Sequence, residues 1–279
     1  MRPVPCPRRR PRPAPRPARS PTVTTPARDT AVSTAMRTTT GLPAGIGLSQ
    51  VQVYSSQAPD GQCGGTPHLH LTCTELYFTL RGRGAAEFLT SRGPERVPLE
   101  PGVAVQFTPG TVHRLVNSDD PLQVLVIMEN GRLNEEGDVV FAFPDTDLAD
   151  PGTYASLADT GPIDAPDLAA VTRRRDRAVT GFVQRTRAWH EDPAGGRAQL
   201  DLLHQRAAAL VRDRAARWPT VIAQGPEVAL RQLSQRAAAA QAGDPTHLAE
   251  GRVTVLPRFD AQALTPKMCG SLWSYAVPR

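Results

Sequence analysis

The chain has few cysteines, few aromatics and no long apolar run. Its four cysteines, Cys6, Cys63, Cys73 and Cys269, include no C-x-x-C pair. That spacing argues against a disulfide framework and fits a reducing cytoplasm. No apolar stretch is long enough to span a bilayer, so no membrane partner is expected. Acidic residues are scarce at the start of the chain, where residues 1–35 set eight arginines against Asp29 alone. That surplus of seven, against a net charge of +5, leaves the other 244 residues at −2. The basic character therefore sits in the tail, and no basic face for a phosphate backbone is expected on the folded part. A nucleic-acid partner is not expected.

Residues 1–40 also lack material for a core. They alternate proline with arginine and drift into serine and threonine, a composition that predicts a disordered tail of polyproline character. No apolar run follows the arginines, which argues against a secretory signal. The proline density argues against the amphipathic helix of an organellar transit segment. Met36 offers an alternative start of translation.

Short alternating segments begin near residue 48 and are separated by Gly, Pro and Asp clusters. They include Val51 with Val53, Ala86–Thr90, Arg96–Leu99 and Leu122–Met128, the pattern of an antiparallel sandwich or barrel. Residues 41–145 are read as this β-barrel and 146–165 as a linker, with Val139–Phe143 as one more strand. Residues 166–250 are read as a helical extension. One apolar stripe runs through Leu168, Val171, Ala178, Phe182 and Trp189. A second runs from Leu200 to Trp218 and stops at Pro219, and a third takes Leu230, Leu233, Ala237 and Ala240 after Gly225-Pro226. These spacings predict three amphipathic helices packed on each other and on the barrel. Residues 251–279 end in an apolar, aromatic run, Met268–Val277, which is read as a tail that returns to the barrel as a strand.

The chemistry concentrates in His68, His70, Glu75 and His113. On a strand, His68 and His70 point to one face. Thr72-Cys73-Thr74 suits a tight connection, after which Glu75 opens a strand that places Glu75, Tyr77 and Thr79 on one face. Pro101-Gly102 and Pro109-Gly110 frame a further strand, and His113, Leu115 and Asn117 share a face of the next. Three imidazoles and a carboxylate make a first coordination shell for a divalent transition metal, Fe, Mn, Ni, Co or Zn. Strand phase suggests Tyr77, Thr79, Gln106 and Leu115 as lining for a substrate pocket. Cys73 is read as structural. His190, His204 and His247 have no partners at ligand spacing and are read as surface residues. Arg81 and Arg114 are read as solvated, with contact to an anionic substrate as the alternative.

This arrangement resembles the cupin superfamily, in its single-barrel, type-2-like form. That family's first motif is a glycine, H-x-H, three or four residues, E, six residues and G. Here His68, His70, Glu75 and Gly82 stand at that spacing. The second motif is G, five residues, P-x-G, two residues, H, three residues and N, matched by Gly102, Thr108-Pro109-Gly110, His113 and Asn117. Thr108 replaces the usual proline, and Gln62 stands where the first glycine would be. Neither departure touches a ligand. The resemblance covers residues from about Leu48 to about Glu129 and implies a mainly β fold. That fold is a double-stranded β-helix, or jelly roll, followed here by the helical extension.

The resemblance implies metal-dependent chemistry on a small molecule. The first expectation is a dioxygenase-type oxidoreductase in which Glu75 acts as base. The second is an isomerase of a sugar or keto compound. A small-ligand-binding module without turnover is the third. A cytoplasmic homodimer is expected by analogy with other barrels of this kind.

Overall fold

The computed structural model describes residues 41–118, 121–129, 133–162 and 165–275. The tail of residues 1–40 lies outside them. The first strands are β1 (Gly47–Val53), β2 (Cys63–Gly64), β3 (His68–His70), β4 (Glu75–Arg81) and β5 (Gly84–Thr90). Then follow β6 (Gly93–Leu99), β7 (Ala104–Phe107), β8 (Val112–Asn117), β9 (Gln123–Met128) and β10 (Val139–Phe141). Six helices come next: α1 (Asp145–Leu148), α2 (Pro151–Ala158), α3 (Leu168–Glu191), α4 (Pro193–Ala215), α5 (Trp218–Gln224) and α6 (Pro226–Gln241). The last strands are β11 (Thr265–Pro266) and β12 (Gly270–Tyr275).

The strands form two sheets of a double-stranded β-helix. One has the order β11-β12-β1-β9-β4-β7; the other runs β10-β3-β8-β5-β6, with β2 also paired to β8. Alternation sets the inner face. On β4, Glu75, Tyr77 and Thr79 are buried while Phe78 and Leu80 are exposed, as the period of two demands. Tyr77, Phe88, Leu99, Phe107, Leu115 and Val124 fill the space between the sheets. Two glycines of the motifs serve the backbone. Gly102 takes φ +93° in a turn with open space around it, and Gly82 takes φ +80° where a Cβ would lie 2.4 Å from the Pro121 carbonyl oxygen.

The expected C-terminal strand is present. β12 pairs antiparallel with β1, Val51 opposite Leu272. Gly65 and Gly270 allow this return: a Cβ on Gly65 would meet Cys269 Cα at 2.7 Å, and one on Gly270 would meet the Gln52 carbonyl oxygen at 2.2 Å.

The helical region differs from the expectation in three places. The stretch read as a linker holds α1 and α2. Pro219 does not end the second helix: α4 stops at Ala215, and Pro219 sits in the first turn of α5, where a proline costs no intrahelical hydrogen bond. The third stripe is not core, since α6 has no buried residue and Leu230 and Leu233 are 64% and 62% exposed.

By contrast α3 and α4 share one continuous core with the barrel, built from Leu69, Leu89, Val112, Phe143, Phe182, Leu200 and Leu203. Asp167 caps α3 by accepting from Ala169 N at 2.9 Å, and Asp192 caps α4 by accepting from Ala194 N and Gly195 N. Gly181 lets α3 reach the barrel, because a Cβ there would lie 2.2 Å from the Ala142 carbonyl oxygen.

Among the described residues no helix is long and apolar enough to cross a membrane. Cys73 and Cys269 are buried free thiols, and Cys63 Sγ lies 2.9 Å from the Ser55 carbonyl oxygen.

Candidate metal centre

The four residues singled out by spacing meet at one point. His68 on β3 is the register partner of His113 on β8, and their Nε2 atoms lie 3.1 Å apart. His70, two residues along β3, turns its Nε2 to within 3.4 Å of Glu75 Oε2, which is also 3.3 Å from His113 Nε2. The three imidazoles offer donor atoms within 4.8 Å of one another. All four side chains are buried.

The outer nitrogens fix how the rings face. His68 Nδ1 is 2.8 Å from the Thr66 carbonyl oxygen and His113 Nδ1 is 2.9 Å from the Thr111 carbonyl oxygen. In each case Nδ1 carries the proton, because a carbonyl only accepts, and the Nε2 lone pair is left facing inward. His70 Nδ1 meets Asp138 Oδ2 at 3.3 Å. Glu75 Oε2 is buried with no hydrogen-bond partner among the described residues. Inward lone pairs around an unsatisfied carboxylate oxygen are the donor set a divalent transition metal takes.

The electrostatics are those of a crowded buried cluster. Burial pushes the His68 imidazole well below its ordinary pKa, and the neighbouring His113 and His70 push it further. Burial also works to lower His70, but the Asp138 and Glu75 carboxylates outweigh it and raise the ring to about 9. For Glu75, burial favours the neutral acid, yet the His113 and His70 imidazoles hold the carboxyl well below its usual range.

Asp138 was not visible in the sequence. It precedes β10, is fully buried, and accepts from Leu71 N, Thr72 N and Thr72 Oγ1 at 3.0, 2.9 and 3.0 Å. Its second oxygen faces His70. One carboxylate thus fixes the β3–β4 connection and sets a negative charge beside the ring at its start. Cys73, in that connection, has its thiol pushed up by burial and by Asp138.

A cavity of about 660 Å³ opens onto His68, His70 and Glu75, within the usual range for a small-molecule site. Its walls come from β1 and β9, from β10, from α3 and from the C-terminal strand, and include Val51, Met128, Phe141, Arg174, Trp273 and Tyr275.

The four residues chosen by strand phase lie elsewhere. Tyr77 and Leu115 belong to the core between the sheets. The Tyr77 hydroxyl lies 3.7 Å from Cys269 Sγ. Thr79 is buried with its Oγ1 unpaired among the described residues. Gln106 borders a separate cavity of about 530 Å³, beside His204.

Arg114 is not a solvated surface residue. It is 2% exposed and ion-paired with Asp60 and Glu87. Nor is His204 free at the surface, since its Nε2 lies 2.8 Å from the Gly110 carbonyl oxygen.

Residues 56–128 match the family model described as a cupin domain. The matched stretch holds His68, His70, Glu75 and His113 and ends before Asp138 and the helices. The chain therefore contains a cupin-superfamily jelly-roll domain. No curated protein matches it. Among solved structures, KdgF from Halomonas sp. is 24% identical over 24% of this chain and 57% of its own, with a TM-score of 0.22. A cupin protein from Bacteroides fragilis is 20% identical over 30% and 63%, TM-score 0.23. WlaRA, a TDP-fucose-3,4-ketoisomerase from Campylobacter jejuni, is 10% identical over 33% and 64%, TM-score 0.28. The chain spans less than two thirds of the length of each.

Proposed function

We propose, with a cupin-type barrel as the premise, that the chain is a metal-dependent enzyme acting on a small molecule, and that its reaction is an oxidation of the dioxygenase class. The observation that carries the metal reading is the convergence of three imidazoles, two of them with Nε2 lone pairs turned inward, beside a Glu75 oxygen that has no hydrogen-bond partner among the described residues. In this reading His68, His70, His113 and Glu75 hold Fe, Mn, Ni, Co or Zn. Such an ion supplies a Lewis acid at the cavity floor and, where it is redox-active, an electron path between substrate and dioxygen.

The protein's own share is binding, orientation and proton handling. Val51, Val126, Met128, Phe141, Leu272 and Trp273 give the cavity apolar surface that suits a ring or enol, beside polar lining from Asn134, Asp159, Arg174, Lys267 and Tyr275. The apolar part of this lining supports the dioxygenase class as the first reading, and the polar part keeps the isomerase as the second. Glu75, at the cavity floor, is the carboxylate placed to accept the proton of an enol or phenol as it docks. Asp138 sets its carboxylate 3.3 Å from His70 Nδ1 and so keeps a negative charge behind that ring.

The same reading has a homodimer of the cytoplasm, without a nucleic-acid partner. Phe78 and Leu80, 37% and 39% exposed on the outer face of β4, support self-association. The free thiols of Cys73 and Cys269 support a reducing compartment.

Elemental analysis of purified wild type and of a folded His68→Ala, His113→Ala double variant tests the metal. Near-stoichiometric metal in wild type, lost in the variant, is the expected result. A wild type that stays empty after reconstitution would sink the reading. Oxygen uptake with enol and catechol substrates tests the reaction class, and anaerobic turnover of a sugar or keto compound in its place would make the enzyme an isomerase.

A further inference from the structure

Helix α3 buries three arginines, Arg174, Arg175 and Arg185, which are 8%, 2% and 2% exposed. Burying a guanidinium is costly unless it is paired or fully hydrogen-bonded, so each needs an account. Arg185 has one: it donates to the Ala142, Phe143 and Gly181 carbonyl oxygens at 3.2, 2.9 and 3.1 Å and ion-pairs with Asp145. Arg175 has one: it donates to the Ser56 and Gln57 carbonyl oxygens at 3.1 and 2.9 Å and ion-pairs with Asp176. Both fasten the helix to the barrel or to its own neighbourhood.

Arg174 lacks such an account. It makes no ion pair among the described residues, and its one hydrogen bond is a long one, 3.3 Å to the Ala158 carbonyl oxygen. Its Nε is buried without a partner. The guanidinium lies over the Phe141 ring at 4.7 Å and borders the cavity that reaches the histidines. Phe141 is the register partner of His68, so the unpaired cation stands one ring away from the cluster. Apart from Glu75, the carboxylates bordering the cavity are Glu129, Glu135 and Asp159, all exposed to solvent. The deep positive charge is thus left for a ligand.

We propose that Arg174 is the anion-recognition residue of this cavity, and that the ligand carries a single carboxylate on an apolar, ring-sized body. The guanidinium grips a carboxylate with two parallel N–H donors; Lys267, the other Lys or Arg bordering the cavity, is only half-buried and already engaged, and a phosphate dianion would call for further buried donors. The Phe141 face and the Met128 and Trp273 walls take the apolar remainder. The inference rests on the reading of this cavity as the small-molecule site and adds the chemical class of what enters it.

The test is calorimetric titration of the full chain, with metal content measured on each sample, using benzoate, benzamide and phenyl phosphate as probes. Wild type is expected to bind benzoate at least about tenfold tighter than benzamide, a preference worth about 1.4 kcal/mol. Arg174→Gln should erase that preference with metal content unchanged. Arg174→Lys keeps the charge but not the two-pronged donor, and should weaken benzoate several-fold while leaving benzamide unaffected. If Arg174→Gln does not fold, the lysine variant decides, and an unaltered benzoate affinity there overturns the assignment.

Failure of wild type to prefer benzoate overturns it, as does a preference that survives in Arg174→Gln, which would assign the carboxylate to the metal centre. Tighter binding of phenyl phosphate would overturn the carboxylate. A benzoate preference in metal-free protein would leave Arg174 its role and remove the metalloenzyme reading instead. Bound metal without the preference would do the reverse.

Discussion

Helices α4 and α6 carry the same kind of apolar stripe and end in different surroundings. On α4, Leu200, Leu203, Ala207 and Val211 are all within 3% of full burial and continuous with the barrel core. On α6, Leu230 and Leu233 face outward. The period of a stripe shows that a helix has an apolar face; it does not show which surface covers that face. What separates the two helices is attachment. The α3–α4 pair is clamped to the barrel by Arg185 on the Ala142–Asp145 segment, by Arg175 on the Ser56–Gln57 turn and by Arg214 on the Gly137 carbonyl oxygen. The helical region thus divides into a part that builds the cavity wall and a part that stands apart from it.

The largest effect is expected at the centre of the attached part. Leu203→Ala removes a fully buried side chain from the core shared by barrel and helices. It should cost about 2–5 kcal/mol of stability, read as a lower denaturant midpoint with an unchanged slope. A loss below about 1 kcal/mol would mean that α4 is not packed on the barrel as described, and would erase the contrast with α6.

The next effect sharpens the same contrast at the metal centre. Asp138 lies beyond the part of the chain that matches the cupin family, yet it faces a residue inside it, His70. Asp138→Asn keeps the shape and removes the charge. Metal affinity should fall about 10–100-fold under competition with a chelator, with the folded content unchanged. No change would show that His70 is oriented without Asp138.

Asp138 also marks where the sequence stopped being informative. The four cluster residues were legible because strand periodicity and motif spacing put them on known faces of adjacent strands, and the alternation on β4 is the one expected. Asp138 precedes a three-residue strand in a glycine- and acid-rich stretch, and nothing local sets it apart from Glu135 or Glu136. The pocket walls failed for another reason. Strand phase tells inside from outside, but Tyr77 and Leu115 are inside in the packed core and not in the cavity. Arg174 did leave a trace. The stripe of α3 steps from Val171 to Ala178, and the inward positions between them are Arg174 and Arg175. An arginine where the helical period demands an apolar residue is a signal for a buried cation.

The smallest effect is expected on α6, and its smallness is the informative result. Leu233 is 62% exposed and its helix contributes nothing to either core. Leu233→Ala should therefore change stability by no more than about 0.5 kcal/mol, and alanine's higher helix propensity offsets part of even that. The measurement is equilibrium denaturation at two protein concentrations. A larger loss that grows with concentration would mean that a second copy of the chain covers the stripe in solution, because mass action ties stability to concentration only when the buried face is shared between molecules. A larger loss independent of concentration would place the cover within the same chain, and α6 would then belong with α4 as part of the folded unit.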